Sequence, residues 1–135
     1  MRQIKFRAWC EGRHDYMTFI KPYMDYEVTL SPKGNYCSVE SYWDIQGEYE
    51  TVPIMQFTGL LDKNGVEIYE GDLVRVEKKR SFDYHYKVTS EIIYQPQSGR
   101  FHAKGTYCDN LAEFINVDGV NCAEVIGNIH EKLET

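Results

Sequence analysis

Apolar and polar positions alternate most clearly from Gln56 to Val76, QFTGLLDKNGVEIYEGDLVRV. Ile54 to Leu61 and Val66 to Tyr69 read as the arms of a β-hairpin closed by Asp62-Lys63-Asn64-Gly65. Each turn residue has its own reason to be there: Asp bonds the backbone two residues on, Asn tolerates positive φ, and Gly adopts it without a steric penalty. Glycine at the end predicts a type I turn with a G1 bulge. Glu70-Gly71-Asp72 is a second reversal, with Gly71 at positive φ, and Leu73-Val74-Arg75-Val76 opens a new strand with Val74 and Val76 on one face.

At the N-terminus Ile4, Phe6 and Ala8 alternate with Lys5, Arg7 and Trp9, the period of a strand with one covered face and Trp9 on the charged side. Glu11 to Asp15 reads as a turn and Tyr16 to Ile20 as the returning strand of an N-terminal hairpin. From Lys21 to Pro53, prolines and glycines break the pattern into pieces, with strand fragments at Glu27 to Leu30 and Tyr36 to Tyr42. Glu77 to Tyr86 is polar and reads as a solvated loop. Lys87 to Tyr94 and Arg100 to Lys104 form a further hairpin around Gln95-Pro96-Gln97-Ser98-Gly99. Asn110 as N-cap, Glu113 three residues later, and Leu111, Phe114 and Ile115 at helical spacing predict one short helix. Val117-Asp118-Gly119 ends it, and Cys122 to Ile129 is the last strand, with Gly127 inside it for close approach of a backbone or ring.

FTGLLDKNGVEIYEGDLVRV, with the opening MRQIKFRAW and the closing EVIGNIHE, resembles the YopX family of small proteins encoded by bacteriophages and prophages. The blocks match in order, at both ends and in the middle, while Cys10 to Pro53 and Glu77 to Cys122 carry no matching motif. The resemblance implies a small SH3-like barrel, a prophage origin and self-association. It implies no activity, since the family has no established biochemical function to carry over to any residue.

A chain of 135 residues suits one domain, large enough to bury a core without staples. Apolar residues at 42% and aromatics at 14% exclude a disordered chain, and eleven tyrosines suit half-buried strands and contact surfaces. Tyr23, Tyr26, Tyr36, Tyr42, Trp43 and Tyr49 either line a partner surface or pack against their own sheet. A net charge of −6 argues against general affinity for nucleic acid, which takes many cations to replace phosphate counterions. Charges interrupt every apolar run at the start, and no later stretch is long enough to span a bilayer, so a cytoplasmic location in a bacterial host is expected. Cys10, Cys37, Cys108 and Cys122 lie far apart without C-x-x-C spacing, which in a reducing compartment predicts free, partly buried thiols and argues against zinc.

Candidate chemistry is sparse. Glu67, Glu70 and Asp72 are three carboxylates brought close by two turns, as a divalent-metal hydrolase or nuclease needs, yet a turn role for Asp72 and an exposed strand position for Glu67 already account for them. His14, His85, His102 and His130 are scattered, and no glycine-rich phosphate loop is present. Lys78-Lys79-Arg80, beside Phe82, Tyr84 and Tyr86, is the one concentrated basic run and the candidate nucleic-acid contact. The reading is therefore mainly β: residues 1–53 supply an N-terminal hairpin and an irregular region, and 54–135 a small SH3-like barrel with one short helix. Asp62, Asn64, Gly65, Gly71, Asp72 and Gly127 are its structural turn and close-approach positions. The expected function is non-enzymatic protein binding without cofactor or metal, by self-association or with a host or phage protein. A nucleic-acid-binding barrel and a metal-dependent hydrolase are the alternatives.

Overall fold

The structure, a computed structural model, describes residues 3–10, 13–14, 19–32, 34–37, 52–81, 84–108 and 110–131. It is mainly β with one short helix. The chain forms two compact units, one over Ile4–Gln56 and one over Phe57–Thr135 together with Met1–Gln3.

In the first unit, β1 (Phe6–Cys10) lies between β4 (Tyr23–Asp25) and the opening residues of β7 (Ile54–Leu61), antiparallel to both. The strand at the N-terminus does not pair with Tyr16 to Ile20 as expected: β1 takes its partners from further along the chain, and the short ladder near that segment joins β2 (Arg13–His14), within the expected turn, to β3 (Phe19–Ile20). A second small ladder joins β5 (Thr29–Ser31) to β6 (Gly34–Tyr36), and the Val52 N–H donates to the Asn35 carbonyl. Tyr42, Trp43, Tyr49 and most of the fragment from Tyr36 to Tyr42 lie outside the described residues. The face assigned to charge on β1 is not solvated: Arg7 is buried opposite Met55, and its guanidinium reaches the Met55 sulfur at 4.0 Å. Tertiary burial, which alternation alone does not encode, overrides the polar reading of that face.

Cys10 and Cys37 are joined in a disulfide with Cα atoms 6.2 Å apart, which corrects the expectation of four free thiols. Their separation of 27 residues carries no local signal of the pairing. Cys108 and Cys122 are free and half-buried.

In the second unit the remainder of β7 pairs with β8 (Glu67–Tyr69), and β9 (Asp72–Ser81), β10 (Tyr84–Gln95), β11 (Arg100–Ala103) and β14 (Ala123–Asn128) form a curled half-barrel sheet in the order β11-β10-β9-β14. The segment expected as a solvated loop after Glu77 is instead strand: Glu77 faces Lys87, Lys78 faces Tyr86 and Lys79 faces His85 across the β9–β10 ladder. The helix α1 (Leu111–Ile115) begins where Asn110 Oδ1 accepts the Glu113 N–H at 2.9 Å, satisfying one of the donors that helix geometry leaves unpaired. It is followed by the ladder of β12 (Asn116–Val117) with β13 (Val120–Asn121). The apolar face of α1, Leu111, Phe114 and Ile115, closes over Ile68, Val74, Val76, Ile92, Phe101, Ala103 and Ala123, the inward positions of the strands. Alternate residues on β9 explain why Val74 and Val76 are fully buried while Arg75 is not.

Candidate functional site

The two acidic turns of the central block carry backbone donors. Asp62 is 4% exposed, and its Oδ1 accepts the N–H groups of Asn64 at 2.8 Å and Val66 at 2.9 Å. Its Oδ2 accepts the N–H of Val125 at 3.0 Å, and the Lys63 N–H donates to the Ala123 carbonyl at 2.9 Å, so this turn also ties down the outer edge of β14. Gly65 closes the turn at φ +84°, a conformation that favours glycine. The bond to Val125 joins residues 63 apart, and no sequence signal could have announced it.

Asp72 is 1% exposed and its Oδ2 accepts the Tyr69 N–H at 2.7 Å across the second reversal. Gly71, at φ +89°, sits between them, with its N–H on the Ile92 carbonyl and its carbonyl accepting from Ile129. Glu67 is half-buried opposite Leu61, and Glu70 is half-buried in the turn. Glu67, Glu70 and Asp72 do not converge as metal ligands: among the described residues, the group of three or more His, Cys, Asp or Glu side chains that does converge is Cys10, Asp25 and Cys37. Gly127 lies at the register shift between Val125 and Gly127, where β14 bulges against β9 opposite Leu73.

The basic run is built into β9. Lys78 Nζ lies 3.8 Å from Asp118 Oδ2 and 3.4 Å from the Val117 carbonyl, so its charge is directed at the β12–β13 turn. Lys79 is exposed, and the side chain of Arg80 lies outside the described residues. Acidic partners interrupt the basic surface around the run. Glu77 Oε2 sits 3.5 Å from His85 Nε2 and 3.7 Å from Lys87 Nζ, and Glu124 Oε2 sits 3.0 Å from an Arg75 nitrogen and 3.8 Å from Lys63 Nζ. Burial pushes the Glu77 carboxyl up, but His85, Lys87 and Arg75 together outweigh it and hold the group below its usual range.

Aromatic and aliphatic side chains are exposed on the described surface. Tyr94 is 44% exposed beside Phe101 on the β10–β11 hairpin, Tyr107 projects fully into solvent just after β11, and Tyr26, Leu30 and Ile4 are exposed in the first unit. Tyr23 and Tyr36 are half-buried. No helix among the described residues is long and apolar enough to cross a membrane.

The chain is similar to a protein of known structure, EF1440 from Enterococcus faecalis, at 31% identity over 96% of this chain and 95% of that one, with a TM-score of 0.55. No curated protein sequence matches it. The sequence model of the YopX protein family matches residues 5–134, nearly the whole chain and well beyond the three blocks that carry the resemblance: the chain belongs to the YopX family.

Proposed function

We propose that this YopX-family chain is a non-enzymatic protein-binding module that self-associates in the cytoplasm of a bacterium carrying a phage or prophage. The observation behind this reading is the difference between the two edges of the half-barrel sheet. The β14 edge is occupied by the Asp62-Lys63 turn, whereas among the described residues no strand lies beyond β11. An uncovered edge presents main-chain donors and acceptors that a further strand can pair, and exposed tyrosines beside it supply rigid contact area at low entropic cost. Tyr94 and Tyr107 flank β11 in the chain and are both exposed.

Sedimentation equilibrium of the full chain tests this. The wild type should run as an oligomer at micromolar concentration, and the double variant Tyr94→Lys, Tyr107→Asp should shift toward the monomer with its circular dichroism unchanged. A wild type that is monomeric throughout would refute self-association.

A further inference from the structure

We propose that Cys10, Cys37 and Asp25 bind one zinc-class divalent ion when the Cys10–Cys37 pair is reduced. The three side chains come from separate pieces of the first unit: Cys10 closes β1, Asp25 closes β4, and Cys37 follows β6. In the β1–β4 ladder Ala8 stands opposite Asp25 and Cys10 opposite Tyr23, so Cys10 and Asp25 share a face of the sheet as diagonal neighbours. One ligand atom from each of the three residues lies within 4.8 Å of the others. All three residues are withdrawn from solvent, at 0%, 4% and 2% exposure for Cys10, Asp25 and Cys37.

The donor set is a soft one suited to zinc, two sulfurs and a carboxylate oxygen, and zinc imposes no electronic geometry of its own. Ligand atoms on one tetrahedral zinc stand about 3.5–3.8 Å apart, given its usual bond lengths. Gathering the three residues around an ion therefore asks only for separation of the sulfurs and a small approach of the carboxylate. Asp25 Oδ1 accepts the Glu27 N–H at 2.8 Å in an Asx turn, a role that Asn would fill equally well. What the acid adds is a carboxylate with a second oxygen that an ion can take as a ligand.

The exchange balances. A dithiol reductant gives two electrons to the Cys10–Cys37 bond and leaves as its own disulfide, and each freed sulfur takes a proton. The ion then displaces those two protons to solvent as two S–metal bonds form. Asp25 contributes one oxygen, and a water completes the fourth position. Oxidation by a disulfide-class oxidant runs the sequence backwards and expels the ion. In a reducing compartment thiols persist, so the metal-bound form is the one this chemistry favours there.

The test uses the full chain, reduced with a dithiol and freed of metal, and titrated with zinc against a chromophoric chelator and with cobalt(II) followed optically. The reduced wild type should take up one equivalent, show a sulfur-to-cobalt charge-transfer band, and lose both on oxidation. Asp25→Asn keeps an oxygen for the Glu27 N–H and should retain the circular dichroism of the wild type while binding at least about tenfold more weakly. Cys108→Ser with Cys122→Ser should bind as the wild type does. Absence of zinc uptake by the reduced wild type, undiminished binding by Asp25→Asn, or loss of binding in the Cys108/Cys122 variant would each overturn the proposal.

Discussion

The carboxylate of Asp62 accepts from Asn64 and Val66 within its own turn and from Val125 on the last strand. Removing it strands three N–H groups at once. Those of Asn64 and Val66 belong to exposed residues and can rehydrate, but that of Val125 lies in a half-buried strand, where an unsatisfied donor costs about 1–3 kcal/mol. Asp62→Ala should therefore destabilise by roughly 3 kcal/mol in urea unfolding, the turn contributing the remainder. Asp62→Asn should fall between, because an amide has only one oxygen for bonds now shared by two. Gly71 is a different kind of position: at φ +89° the difficulty is the backbone itself. A β-branched residue is held there at a cost of about 1–3 kcal/mol, so Gly71→Val should lower the melting temperature by about 5 °C or more, and a change within a degree or two would refute the strain argument.

The β9–β10 hairpin shows how charge conceals a strand. Glu77, Lys78 and Lys79 in succession read as a loop because no apolar alternation marks them, yet on the ladder they stand opposite Lys87, Tyr86 and His85. Cross-strand pairing of opposite charges and burial of the lysine stem replace the apolar face as the reason to be strand. The Asp62-Gly65 turn, the Asn110 cap and the inward stripe of α1 were legible because their causes are local, within a few residues of sequence. The pairing of β1 with β4 and β7 joins residues 13 to 50 positions apart, and the Cys10–Cys37 disulfide joins residues 27 apart, contacts that no local period encodes. The position of Glu77 among His85, Lys87 and Arg75 also sets a pH dependence. Its carboxyl is depressed in the folded state, so its contribution is complete above the unfolded value near 4.5 and disappears as pH falls through the folded value. Glu77→Gln should accordingly be less stable than the wild type at neutral pH, and the two melting temperatures should converge in acid. A gap that persists or widens below pH 4 would show that the charge cluster is not its cause.

Over the whole molecule, the net charge of −6 decides what the basic run on β9 can do. A polyanion approaching Lys78, Lys79 and Arg80 meets the field of the entire chain, and these cations help only if they form a continuous basic face. Lys78 is directed at Asp118, and acidic groups stand beside its neighbours, with Glu77 within reach of His85 and Lys87 and Glu124 within reach of Arg75 and Lys63. Exposed pairs of this kind contribute little to stability but leave little uncompensated positive potential. Replacing Lys78, Lys79 and Arg80 by Ser takes the charge from −6 to −9 and should leave the oligomer mass of the full chain unchanged. Labelled single- or double-stranded DNA at low salt should show no anisotropy change with micromolar wild type or variant. If the run instead meets phosphates, the wild type will bind with an affinity that falls steeply with salt, and the slope in the variant will be shallower by about one unit for each phosphate no longer neutralised. That pattern would place nucleic acid ahead of protein as the partner of this surface, because screening weakens a phosphate–cation pair while leaving main-chain pairing at the β11 edge intact.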